Sequence, residues 1–526
     1  MHHAEPVVLL LVLMAVLVIV AQKSAVPYPV LLVLGGLSLS FVPFLPVIRL
    51  DPNLVLFFFL PPLLYPAALF TSWRDFRRNL RSILFLAIGL VLMTTTVVAW
   101  VAHTFIAGLP WAAAFALGAI VSPPDAVAAE AILKRLGVPA RIQTVLGGES
   151  LVNDATALVA YQFAVAAMMT GQFSLGGAGL RFLLVGLGGV GLGLLVGLTM
   201  RWVQGRLDDP PVQITISLLT PFAAYLLAER LEVSGVLAVV AAGMYLGWHS
   251  TALSARTRLQ AQAFWEMAAF FLNGFIFIMI GLQLPDILQK LNREPLSRLT
   301  TYAFLISATV VLVRIAWVFP ATYLPRWLSR KMRERDPVPP WQHSVIIAWA
   351  GMRGVVSLAA AFALPIVLTD RHPFPGRNYI LFLTFCVILT TLVFQGLTLP
   401  ILIRKLGVED DGAIDDEERR ARLQANEAAV DFIEKKALEE HFPEEVMARV
   451  RAEYCDRIEQ LNACCQETGN PSGEVATPIY QRLQHGALQI ERQTIIALRN
   501  SQAINDEALR RIQRDLDLAE ARLTGD

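Results

Sequence analysis

Apolar stretches of about twenty residues recur along the first four hundred positions, each long enough to cross a bilayer core of about 30 Å as a helix. Thirteen can be traced, near 6–22, 26–46, 53–71, 83–107, 110–133, 143–171, 179–200, 211–229, 232–248, 264–285, 299–325, 342–368 and 378–403. In hydrocarbon every backbone amide and carbonyl must find a partner within the protein, so such stretches fold as helices. The expected fold is all-α, a polytopic membrane protein of about thirteen transmembrane helices. The first stretch does not read as a signal peptide, because Met1-His2-His3-Ala4-Glu5-Pro6 lacks a basic leader and no small-residue cleavage site follows.

Charge divides the chain in two. Of the 87 Lys, Arg, Asp and Glu residues, 48 lie in positions 1–410 and 39 in positions 411–526, so the second part belongs in water. Residues 1–407 read as a transmembrane domain and 408–526 as a cytoplasmic helical C-terminal domain, either a regulator of the first or a solvated helical appendage. Residues 411–526 hold 24 acids and 15 bases, a net of −9 that leaves +10 on the front. No soluble basic patch offers itself to a nucleic acid. Cys386, Cys455, Cys464 and Cys465 have neither zinc-ligand nor disulfide spacing and read as reduced thiols.

The bias of Lys and Arg among the loops sets orientation. One alternate set of loops holds seventeen: Lys23, Arg74, Arg77, Arg78, Arg81, Lys134, Arg135, Arg141, Arg201, Arg206, Arg256, Arg258, Arg326, Arg330, Lys331, Arg333 and Arg335. The other holds eight: Arg49, Arg181, Arg230, Lys290, Arg293, Arg298, Arg371 and Arg377. The N-terminus is therefore expected outside and the tail in the cytoplasm of a cell (inner) membrane.

Two stretches carry breaks at membrane depth. In the fifth, Ser122-Pro123-Pro124-Asp125 removes two consecutive amide donors and should free carbonyls near Ala119 and Ile120. In the twelfth, Gly351-Met352-Arg353-Gly354 sets a cation between two glycines. The breaks lie seven stretches apart, the offset produced by an inverted repeat of stretches one to six and eight to thirteen.

Ionisable groups in a bilayer cost about 2.5–3.5 kcal/mol each on the lenient insertion scale, so they mark function or bracing. Asp125 sits at the first break. In the sixth stretch Glu149 and Asp154 are five residues apart, which places them on faces about 140° apart around a helix. They should meet different neighbours. Arg314 and Arg353 are the buried cations available to them, and Glu149 reads as a brace to one or the other. Asp154 and Asp125, with the Ser150 hydroxyl and a freed carbonyl near Pro124, form a set of hard oxygen ligands suited to an alkali cation. A desolvated carboxylate takes either a proton or a metal ion, and that competition is the chemistry of exchange. No phosphate-binding Gly-Lys-Ser/Thr loop is present to couple the site to ATP. Asn273, Gln283, Gln395 and Thr398 read as interhelical hydrogen-bonding groups.

Four segments, Ser122-Pro-Pro-Asp-Ala-Val127, Gly148-Glu-Ser-Leu-Val-Asn-Asp-Ala155, Trp349-Ala-Gly-Met-Arg-Gly-Val-Val-Ser-Leu358 and Gln395-Gly-Leu-Thr-Leu-Pro400, taken in this order, resemble the monovalent cation:proton antiporter-1 family, the bacterial relatives of the sodium/proton exchangers. The resemblance spans about residues 6–407. It implies Asp154 as the cation and proton carrier, with Asp125, Ser150 and the Pro124 carbonyl as helpers where unwound fifth and twelfth helices cross. It implies a Glu149–Arg314 brace, with Arg353 near the crossing. Asn153 before Asp154 resembles the asparagine-aspartate form associated with electroneutral one-for-one exchange. A homodimer with an elevator-like core, no resident cofactor, and Na⁺ or Li⁺ exchanged for H⁺ are further implications. Two departures stand out: Leu60-Pro-Pro-Leu-Leu-Tyr-Pro66 lacks the acid many relatives carry after the prolines, and Pro124 replaces a threonine of several members, which leaves K⁺ against Na⁺ open.

K⁺/H⁺ exchange is the nearest alternative, and a passive cation channel a more distant one. An intramembrane enzyme is disfavoured, since Gly-Xaa-Gly-Asp is missing and the Gly-Glu-Ser stretch has no histidine nearby. In the tail, helical spacing appears near 415–440, 443–467 and 477–523, with Leu509, Ile512, Leu516, Ala519 and Leu523 marking one apolar face.

Overall fold

The computed structural model describes residues 4–23, 26–41, 55–170, 175–250 and 253–410, apart from positions 290, 292–293, 331–333, 335, 337 and 369–371. It further describes 412–440, 444–466 and scattered positions between 489 and 518. Arg49, Lys290, Arg293, Lys331, Arg333, Arg335, Arg371 and most of the apolar stripe expected at 477–523 lie outside the described residues.

Helices occur at each of the thirteen apolar stretches. They are α1 (Ala4–Lys23), α2 (Tyr28–Leu39), α3 (Leu60–Leu69, led in by a π-helical turn Val55–Phe59), α4 (Trp73–Phe105), α5 (Trp111–Val121) and α6 (Ala126–Arg135). There follow α7 (Ala140–Thr170), α8 (Leu175–Gln204), α9 (Pro210–Arg230), α10 (Gly235–Trp248), α11 (Ala255–Leu282) and the short α12 (Leu284–Gln289). The last set is α13 (Leu296–Leu328), α14 (Trp341–Trp349), α15 (Val355–Phe362) and α16 (Arg377–Leu406). Eight described helical segments are long and apolar enough to cross a membrane, and the segment at α1 with α2, α3 and α10 adds four shorter apolar helices. Two boundaries differ most from expectation. α11 begins at Ala255, not near 264, behind a Ser254 cap that accepts from Thr257 N at 3.1 Å, so Arg256 and Arg258 are helical. α4 begins at Trp73, not near 83, because Ser72 caps it by accepting from Asp75 N at 3.3 Å. The Arg74–Arg81 cluster is therefore helical and not a loop.

Small residues let these helices approach closely, which is how helices associate where lipid removes the usual hydrophobic drive. On α5, Ala113, Ala114, Ala116 and Ala119 are wholly buried, and a Cβ on Gly118 would strike the Thr95 carbonyl of α4. Only glycine fits at that contact.

The chain divides into two compact units, Met1–Asp410 and Asp411–Asp526. α16 stops where Gly407 turns left-handed at φ 60°, a conformation that closes a helix. In the second unit α17 (Ala413–Glu440) packs along α18 (Glu444–Gln466), joined by an Arg451–Glu434 ion pair at 3.0 Å.

Candidate functional site at two interrupted helices

Both expected breaks are present. Between α5 and α6, residues 122–125 leave the helix, and between α14 and α15, residues 350–354 do. In an unbroken helix Asp125 N would bond to Val121 O. Instead Asp125 N donates to Met352 O at 2.7 Å, and Val121 O accepts from Arg353 Nε at 3.1 Å. Each break thus satisfies groups freed by the other, as lipid requires. Asp125 also caps α6, its Oδ1 accepting from Val127 N at 2.9 Å. At Gly354 a Cβ would collide with the Asp125 carboxylate, so the approach of the two segments excludes any larger residue.

Several of the other freed groups are engaged by named side chains. Ser122 Oγ donates to Ala119 O at 2.9 Å, which accounts for one of the two freed carbonyls expected there. Asn153 Nδ2 donates to Pro124 O at 2.7 Å, so that carbonyl is already engaged by the asparagine beside Asp154. Thr391 Oγ1, in a π-helical turn of α16, accepts from Arg353 N at 3.1 Å. Arg353 Nη1 reaches Gly351 O, while its Nη2 is buried with no hydrogen-bond partner among the described residues. Thr391 was invisible to sequence reasoning, since a threonine in an apolar helix ordinarily bonds to its own preceding turn; this one does so as well, to Val387 O at 2.8 Å.

The two arginines separate in role. Arg314 grips Glu149 with both terminal nitrogens at 2.6 and 2.8 Å, and its Nε and Nη2 donate to Ile347 O at 3.2 and 3.0 Å. Glu149 and Arg314 are 1% and 0% exposed, so the pair is dry. Arg353 makes no ion pair among the described residues, and its side chain donates to carbonyls alone. As their spacing on α7 requires, Asp154 points elsewhere. It is buried at 6% exposure, within electrostatic reach of Asp125, and no hydrogen bond or ion pair reaches its carboxylate among the described residues. Ser150 Oγ, one turn earlier on α7, accepts from Ala126 N at 3.4 Å. No cluster of three or more His, Cys, Asp or Glu forms among the described residues, so a cation here would rest on mixed hydroxyl, carbonyl and carboxylate oxygens.

A family model described as sodium/hydrogen exchanger, transmembrane, matches residues 8–405. The chain belongs to the sodium/hydrogen exchanger family. Members of this family are transporters of monovalent cations and protons, not enzymes, and this one is a multi-pass membrane protein. An uncharacterized Na⁺/H⁺ exchanger of Mycobacterium tuberculosis is 38% identical over 510 residues, covering 96% of this chain and 93% of the relative. The uncharacterized Na⁺/H⁺ exchanger YjcE of Escherichia coli is 34% identical, covering 95% and 94%. A sodium, potassium, lithium and rubidium/H⁺ antiporter of Bacillus subtilis is 36% identical over 410 residues, covering 74% of this chain and 61% of that protein. In fold, the exchanger resembles the sodium proton antiporter MjNhaP1 of Methanocaldococcus jannaschii, with a TM-score of 0.58, 19% identity, and coverage of 77% and 99%.

Proposed function

We propose that this exchanger is a secondary active antiporter that moves Na⁺ or Li⁺ one way and H⁺ the other, one for one, by alternating access. The observation that carries the reading is Asp154: a buried carboxylate without a hydrogen-bonding or ionic partner among the described residues, beside a helix break capped by Asp125. Such a charge is tolerable in low dielectric only when something positive neutralises it. A proton does so by covalent attachment to a carboxylate oxygen. An alkali cation does so by coordination, with the Asp125 carboxylate, Ser150 Oγ and the second lone pair of Pro124 O as further ligands. The emptied site carries an uncompensated charge and does not cross, so movement of one ion is tied to return of the other, without ATP. With asparagine at 153, one titrating group alternates between one proton and one cation, which supports an electroneutral cycle. Glu149 takes no part as a carrier, its oxygens being held by Arg314.

The same reading places a homodimer in the cell membrane, N-terminus outside, with residues 408–526 as a cytoplasmic helical domain that tunes transport. K⁺/H⁺ exchange is the second reading, favoured by Pro124 in place of a hydroxyl ligand and by the cation range in the name of the Bacillus subtilis relative. The test is dequenching of a pH dye in vesicles holding wild type, Asp154→Asn or Glu149→Gln, with Na⁺, Li⁺ and K⁺ added in turn. Wild type should respond to Na⁺ and Li⁺ and Asp154→Asn to none. Robust exchange by Asp154→Asn removes the assigned carrier, and a response to K⁺ as strong as to Na⁺ selects the second reading.

A further inference from the structure

A slot of about 630 Å³ opens between α4 and α7 on one side and α8 and α10 on the other. It runs from Ser234 to His249 along α10, about 22 Å at 1.5 Å per residue, a large fraction of a bilayer's hydrocarbon thickness. No acidic side chain lines it.

One end differs from the rest. Trp73, Tyr245, Trp248 and His249 gather there, with the tryptophans 40% and 58% exposed, the placement of side chains that sit at a membrane surface. The hydroxyl of Tyr245 accepts from Arg201 Nη1 of α8 at 3.1 Å. The first turns of α4 supply the charge. Trp73, Phe76, Leu80 and Leu84 form the stripe that faces the slot, and Arg74, Arg77, Arg78 and Arg81 are exposed around it. At about 100° per residue, Arg77 borders that stripe, Arg81 lies further round on the same side with its guanidinium over the Phe85 ring at 5.4 Å, and Arg78 lies nearly opposite. The slot therefore joins an apolar trough to a rim of guanidinium groups drawn from α4 and α8.

We propose that this slot is a binding site for an anionic glycerophospholipid, one acyl chain lying between α7 and α10 and the phosphate held at the rim by Arg77, Arg81 and Arg201. An uncharged trough alone would accept any lipid; the arginines select an anionic headgroup over a zwitterionic one. The ligand is distinct from the transported ions and bridges helices that the ion site does not link.

Native mass spectrometry of the delipidated full-length protein, titrated with phosphatidylglycerol or phosphatidylcholine, tests the site. Phosphatidylglycerol should be retained at least about fivefold better than phosphatidylcholine, and Arg77→Gln/Arg81→Gln should bring the two close to equal. Ala241→Phe, which fills the trough, should reduce retention of both. A photoactivatable phosphatidylglycerol in phosphatidylcholine vesicles should label wild-type peptides containing Trp73–Leu84 and Leu237–His249, which checks the location without any substitution. Equal retention of the two lipids by wild type, unchanged selectivity in the double arginine variant, or labelling confined to other helices would overturn the proposal.

Discussion

The amide of Asp125 and the carbonyl of Met352 meet at 2.7 Å, across two chain segments more than two hundred residues apart in sequence. Together with the Arg353–Val121 bond at 3.1 Å, this gives new partners to both ends of the Val121–Asp125 bond lost at the first break and to the Met352 carbonyl freed at the second. An orphaned backbone group in hydrocarbon costs several kcal/mol, so the two breaks are stable only as a pair.

Gly354→Ala should therefore be costly. The added methyl meets the Asp125 carboxylate and must push the segments apart. Stability should fall by about 1–3 kcal/mol, the range for overpacking, and exchange should drop with it. A thermal-shift assay with the dye assay on the same sample checks both; wild-type behaviour in each refutes the close approach.

Breaking the dry ion pair should cost more than deleting it. Glu149→Gln or Arg314→Gln leaves one buried charge alone and should destabilise by about 3–5 kcal/mol. The combination Glu149→Leu/Arg314→Leu should recover much of that loss, short of the part due to Ile347 O, which Arg314 also serves. Thermal midpoints of the three variants in one detergent give the answer.

Arg353→Met removes the donor to Val121 O while keeping side-chain bulk. Each buried acceptor left unsatisfied costs about 1–3 kcal/mol, so the variant should be less stable by at least that much and slow in exchange. Arg353→Lys should recover only part of the loss, because an ammonium cannot span Val121 O and Gly351 O as a planar fork does.

Asn153→Asp tests the asparagine's bond to Pro124 O. A protonated acid can donate to that carbonyl and a carboxylate cannot, so the variant should approach wild-type stability at low pH and lose it as pH rises. Melting temperature against pH reads this directly. A flat profile parallel to wild type would show that the Pro124 bond contributes nothing.

Removal of residues 409–526 should leave exchange competent while shifting its pH dependence or the stability of the proposed dimer. A well-folded truncation with no exchange in vesicles would contradict a tuning role for this unit.

The breaks were legible in the chain itself, because two prolines in succession and a Gly-Xaa-Xaa-Gly segment weaken a helix whatever surrounds them. The divergence of Glu149 and Asp154 was legible too, since it follows from helical geometry. Which arginine would pair with Glu149 did not follow from spacing, for it depends on where α13 and α14 lie against α7; only the family resemblance pointed to Arg314, as found. The exchange of partners among Val121, Asp125, Met352 and Arg353, and the part played by Thr391, were hidden for the same reason. Local pattern reports where a backbone loses its bonds and is silent about which distant segment restores them. The start of α4 was misplaced because arginines read as a loop, whereas a serine cap and an apolar stripe make them the wet edge of a helix.

The reciprocal bonds at the crossing have a mechanical corollary. Neither interrupted segment can slide or rotate on its own without stranding polar backbone in oil, so the two must travel as one riveted part. Whatever motion carries an ion across leaves the rivet intact and is accommodated at the surfaces around it.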